Sequence, residues 1–190
     1  MGITARFPSS LNEKKEIDHI KKLKPDIVIV VAYGVILPNN LLNLNNILFI
    51  NIHASLLPKW RGAAPIQRSI MNMDKKTGIS IMKIIPKLDA GPVLIQSEVK
   101  IDKEVNQKEL SDKMSKLGAK LILNALELIE KNKANFTEQK NSEATYAKKI
   151  TKMESKIDWN LEAEKIVAKI NALHPNPGCW FDFFGKRIKV

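Results

Sequence analysis

Two short apolar runs set the limits on what this chain can fold into: Ile27-Val28-Ile29-Val30-Val31-Ala32 and Ile47-Leu48-Phe49-Ile50. The first is continuous and β-branched, with no alternation of polar residues. A strand apolar on both faces belongs in a parallel sheet covered by helices. The second is bounded by Asn45-Asn46 and reads as a buried strand running on to His53. Strands of this kind, in a chain that also carries helical patterns, predict an α/β fold with a mostly parallel sheet.

The remaining elements follow from local signals. Ser9 or Ser10 can cap a helix to about Lys24, with Leu11, Ile17, Ile20 and Leu23 as its apolar stripe. Pro25-Asp26 ends it, Tyr33-Gly34 closes the first strand, and Ile36-Leu37-Pro38 opens a loop. Pro65 stands near the start of a short helix, Ala64 to Met73. Thr77 to Ile84 alternates like a half-exposed strand, and Val93 to Val99 reads as its partner across an Asp89-Ala90-Gly91 turn. Asn106 and Glu109 form a capping box that opens a helix to about Lys131. Its stripe of Leu110, Met114, Leu117, Leu121, Ala125 and Leu128 is core. Residues 132–160 read as a linker. A helix from Leu161 to Leu173 follows, then an aromatic hairpin, Trp180–Phe183 and Arg187–Val190, turning at Phe184-Gly185-Lys186. Ile3-Thr4-Ala5-Arg6 is one further strand candidate.

The formal net charge is +11 from 31 basic residues, only four of them Arg. Such charge suits a polyanionic partner such as nucleic acid. The scattered Lys, with abundant Asn and Ile, fit an AT-rich coding sequence equally well. No apolar run reaches the roughly 20 residues that span a bilayer, and the N-terminus carries no signal-peptide core. Cys179 is the single cysteine, so no internal disulfide forms, as suits a reducing cytosol. Three His and one Cys show no metal spacing. His19 belongs to a helix surface and His174 to a helix end.

Chemistry concentrates in Asn51-Ile52-His53-Ala54-Ser55-Leu56-Leu57-Pro58-Lys59-Trp60-Arg61-Gly62. Side chains two apart on a strand share a face, so Asn51 and His53 point the same way where the strand runs out. A neutral amide donor beside an imidazole suits a carbonyl oxygen that gains charge, and α/β sheets place ligands at that end.

The pattern Asn-x-His-x-Ser-Leu-Leu-Pro, with an Asp-x-Gly loop some forty positions on (here Leu88-Asp89-Ala90-Gly91-Pro92), resembles the folate-dependent formyltransferases. The resemblance implies a Rossmann-like domain and transfer of formyl from 10-formyltetrahydrofolate to an amine. It implies Asn51, His53 and Asp89 as catalytic residues and Ser55, Leu56, Leu57 and Pro58 on the folate side. Arg61 and Gly62 would meet the acceptor substrate or the folate tail, and no metal is implied. The continuation Trp60-Arg61-Gly62-Ala63-Ala64-Pro65-Ile66-Gln67 resembles the branch acting on methionyl initiator tRNA, as does Ala144–Ile150 through Ile157-Asp158-Trp159. That branch makes N-formylmethionyl-tRNA in the cytoplasm, as a monomer at full length. Glycinamide ribonucleotide is the alternative acceptor, and an inactive fragment that only binds tRNA or folate is the other alternative.

The resemblance also implies a domain plan: residues 1–131 catalytic, 132–160 linker, and 161–190 the start of an OB-like tRNA-binding β-barrel. Relative to the family, about 50 residues are expected to be missing at the front and most of the barrel at the back, from a whole of roughly 300 residues.

Overall fold

The structure is a computed structural model and describes residues 4–190. Its centre is a four-stranded sheet in the order β1-β2-β4-β5, from β1 (Ile27–Val31), β2 (Leu48–His53), β4 (Lys76–Lys83) and β5 (Val93–Lys100). β1 and β2 are parallel, with Val31 opposite Ile52. The other two ladders are antiparallel. The parallel arrangement expected of the sheet therefore holds between β1 and β2. A nine-residue connection, residues 84–92, joins β4 to β5; a parallel pair would need a crossover of a dozen residues or more.

The strand at Ile3–Arg6 is not formed over residues 4–6, and Ile3 lies outside the described residues. The first helix, α1 (Lys14–Leu23), begins later than expected. Ser10 Oγ instead accepts the Asn12 N–H in a local turn, and Ser9 Oγ donates to Glu13. A short helix, α2 (Asn39–Leu42), forms in what reads as loop, and its Leu41 is buried against Phe49. β1 is covered along its length on one face only. Val28 and Val30 pack on Phe49 and Leu41; on the other face Ile27 reaches the core under α4, while Ile29 and Val31 are exposed along this edge strand.

The opposite correction applies to β4, which is buried on both faces from Thr77 to Met82. Ile79 and Ile81 face the long helix α4 (Gln107–Glu130) with its Leu110, Met114, Leu121 and Ala125. Gly78 and Ser80 face the other way, under the loop that follows β2. A Cβ on Gly78 would lie 2.2 Å from the Ser97 carbonyl oxygen and 2.6 Å from Leu56. Only glycine lets the loop come this close.

α4 starts at the expected capping box: Asn106 Oδ1 accepts the Glu109 N–H at 3.0 Å and Glu109 accepts the Asn106 N–H at 3.2 Å. Replacing Asn106 with Ala is expected to lower stability by about 1 kcal/mol, read as a shifted urea midpoint at unchanged slope.

Residues 132–160 do more than link. Tyr146–Ala147 (β6) pairs in parallel with Arg61–Gly62 (β3), and Thr137 bridges Val93. The helix α3 (Pro65–Met71) packs on α5 (Ala163–Leu173). Ile157, Leu173 and Cys179 bury a small core there with Met71, and burial pushes the Cys179 thiol up. The hairpin of β7 (Trp180–Phe183) and β8 (Lys186–Lys189) forms, but Lys186, read as turn, pairs with Phe183, leaving a two-residue turn with Phe184 and Gly185 both at positive φ.

Arg68 of α3 clasps the second half of the chain, donating to Glu154 and to the Lys148 carbonyl. The hydrogen bond from Arg68 holds the Glu154 carboxyl below its ordinary value of 4.5, against burial, which raises it. A carboxyl lowered by folding stabilises the folded state above its unfolded pKa, and that contribution is lost as pH falls through the folded value. Glu154→Gln is therefore expected to lower Tm at pH 7 and to match the parent at pH values well below about 4.

Candidate active site

β2 delivers the two residues of the motif to one place. Ile50 and Ile52 point to α4, since a Cβ on Gly118 of that helix would sit 3.2 Å from Ile52. Asn51 and His53, alternating with them, point to the opposite face, where residues 54–62 fold over the end of the strand. Asn51 is half-buried, and among the described residues its side chain has no hydrogen-bond partner. His53 is 5% exposed.

The loop is held from below by hydroxyls. Ser80 Oγ donates to the Ser55 carbonyl at 2.6 Å and accepts the Leu57 N–H at 3.1 Å; Ser55 Oγ donates to the Lys59 carbonyl at 2.5 Å. Trp60 is tied at both ends, by its indole N–H to Asp74 and its backbone N–H to Thr145. Trp60, Gly62 and Asp89 all take positive φ, at 60°, 120° and 43°. Such backbone outliers cluster where a site is held in shape by its surroundings. At Gly62 the reason is close approach: a Cβ would stand 2.8 Å from the Ala147 carbonyl oxygen of β6.

These anchors settle how His53 presents itself. Its Nε2 lies 2.9 Å from the Trp60 carbonyl oxygen, so Nε2 carries a hydrogen and donates it. Nδ1 then faces Asp89, 3.8 Å from Oδ2. That is too long for a direct hydrogen bond. Asp89 Oδ2 instead accepts the Gly62 N–H at 2.8 Å. In the neutral tautomer Nδ1 and Oδ2 are both acceptors, separated by a gap that a shared donor, an amine or a water, would bridge.

The chain matches the Formyl transferase family over residues 4–126 and the Formyl transferase, C-terminal domain, over residues 149–190. The chain belongs to the formyl transferase family. The methionyl-tRNA formyltransferase of Pelagibacter ubique is 52% identical to it over all 190 residues, and that of Dictyoglomus thermophilum 46%. The chain covers 61% of each of those proteins. HypX from Aquifex aeolicus, solved in complex with tetrahydrofolic acid, aligns with a TM-score of 0.79 at 19% identity, over 92% of this chain and 30% of that one. At that identity the likeness carries the Rossmann-like formyl transferase fold.

Ser55 is fully buried, its hydroxyl spent on the Lys59 carbonyl within the loop, and the Leu57 side chain is 6% exposed. Leu57 and Pro58 do line a groove of about 350 Å³ with Val93–Gln96 and Thr137–Lys140, but Asn51, His53 and Asp89 are absent from its lining. Arg61 is only 1% exposed. Its guanidinium donates to Gln139 Oε1 at 3.0 and 2.8 Å and to Asn141 Oδ1 at 2.9 Å. A side chain so enclosed fastens residues 139–141 to the motif. Gln139 also donates to the Asp89 and Gly91 carbonyls, at 3.0 and 2.7 Å. Nothing in the sequence pattern singles out Gln139 in a polar stretch; only the fold brings it to the site.

Among the described residues no group of three or more potential ligands could hold a metal ion, and no helix is long and apolar enough to cross a membrane.

Proposed function

We propose that this chain carries the catalytic site of a methionyl-tRNA formyltransferase, which moves formyl from 10-formyltetrahydrofolate to the α-amino group of methionyl initiator tRNA. The observation that carries the chemistry is the gap between His53 Nδ1 and Asp89, with Nε2 committed to Trp60. Identity of 52% to a protein of that name, running through the segment 144–159, supports tRNA as the acceptor.

An α-amino group titrates near pH 7.7, so the neutral amine is abundant. It docks between Nδ1 and the Asp89 carboxylate, donating to both. Its nitrogen attacks the formyl carbon, and the Asn51 amide donates to the oxygen as that oxygen becomes negative. Nδ1 accepts the amine's proton and delivers it to the departing folate nitrogen. The bond from the formyl carbon to that nitrogen breaks as the new amide is completed. Asp89 stabilises the imidazolium between these steps. The folate enters from the C-terminal end of β1 and β2, where Tyr33, Val35, Ile36 and Leu88 expose apolar surface for a flat ring. The basic charge supplies the phosphate contacts that give nucleic-acid affinity.

The test is transfer of labelled formyl to methionyl-tRNA and, separately, to glycinamide ribonucleotide. Label on methionyl-tRNA is the expected result. Label on the ribonucleotide alone would transfer the chain to a different acceptor.

A further inference from the structure

We infer that Gln139 is a positioning residue for Asp89, clamped in place by Arg61. This rests on the reading of Asp89 as part of the catalytic site.

Asp89 lies in a nine-residue connection and holds φ of 43°, a region that non-glycine residues adopt at a cost. Two contacts fix it from opposite sides. The Gly62 N–H fixes the carboxylate. The Gln139 amide fixes the backbone, with one NH₂ bridging the Asp89 and Gly91 carbonyls at 3.0 and 2.7 Å. The amide cannot turn over, because its oxygen accepts two N–H groups of the buried Arg61. Arg61 immediately precedes Gly62 in the chain. One rigid unit, Arg61-Gly62 with Gln139, therefore grips Asp89 by side chain and by main chain. β6 reinforces it by pairing with Arg61–Gly62. The gap of 3.8 Å to His53 Nδ1 is set by this grip.

The experiment uses the full chain its gene encodes, with four variants: Asp89→Asn, Gln139→Ala, Gln139→Glu, and Asp89→Asn with Gln139→Ala. Glutamate keeps the pair with Arg61 and strengthens it. It replaces the donors to Asp89 and Gly91 with an acceptor that repels both carbonyls. A role confined to docking residues 139–141 predicts that Gln139→Glu is as active as the parent. The positioning role predicts that both Gln139 variants lose about 10- to 100-fold in kcat, with KM for methionyl-tRNA unchanged, since a shift of about 1 Å can cost 10²-fold. It also predicts that Gln139→Ala adds nothing in the Asp89→Asn background. Far-UV spectra establish folding, and Gln139→Glu carries the test should Gln139→Ala fail to fold. A slow Asp89→Asn beside a fully active Gln139→Glu overturns this inference and leaves the catalytic reading standing, as does additivity in the double variant. A fully active Asp89→Asn overturns both.

Discussion

Formyl transfer by the His53→Ala variant is expected to be slower by about 10³-fold, within the range of about 10²–10⁴ that a positioned acid–base group contributes. The side chain has two separable duties. Nδ1 is the only nitrogen of the ring free to take the amine's proton, because Nε2 is bonded to the Trp60 carbonyl. That bond also closes the loop over residues 54–60, so its loss leaves a carbonyl short of a partner at a cost of about 1–3 kcal/mol. Measuring kcat on folded protein at a temperature well below the variant's Tm separates the two. A variant that retained the parental kcat under those conditions would remove His53 from the proton path.

Gly91→Ala is expected to affect stability and rate together, and more severely than its one added methyl suggests. The new Cβ would lie 1.9 Å from the Lys83 carbonyl oxygen and 3.0 Å from its carbon. That oxygen is main chain at the end of β4, so no side-chain rotation relieves the clash; the connection from residue 84 to 92 has to move. Overpacking costs about 1–3 kcal/mol and more where backbone must shift, and about 3 kcal/mol is expected here. Asp89 and the Gln139 contact to the Gly91 carbonyl lie on the displaced segment, so kcat should fall by at least the roughly 10²-fold of an ångström-scale misplacement. Urea unfolding and initial rates on the same preparation read both effects. A stable Gly91→Ala protein with normal kcat would show that the loop tolerates another path, and that Asp89 does not depend on this one.

Local signals were sufficient for β2, α4 and the terminal hairpin. A β-branched run, a capping box and a Phe-Gly turn act over a few residues, and their effect is the same in most surroundings. The Asn-x-His spacing was equally legible, because strand alternation alone puts Asn51 and His53 on one face. What the sequence by itself determined, then, is the family, the order of the main strands and helices from β1 onward, and the shared face of Asn51 and His53.

Which faces are covered was decided by the tertiary structure. β1 reads as doubly buried and is an edge; β4 reads as half-exposed and is enclosed, because the loop of Ser55–Pro58 lies over Gly78 and Ser80. Burial depends on what arrives from elsewhere in the chain, and no window of a few residues contains that information. The same holds for Arg61, which as a lone cation in a motif suggests a substrate contact. It is instead enclosed by Gln139 and Asn141, 78 and 80 residues away. The direction in which His53 presents its free nitrogen was settled by a carbonyl seven residues on, and its distance from Asp89 by a grip that joins Arg61–Gly62 to residues 139–147. Chemistry of this kind needs positions held to fractions of an ångström, and such precision comes from packing between distant segments.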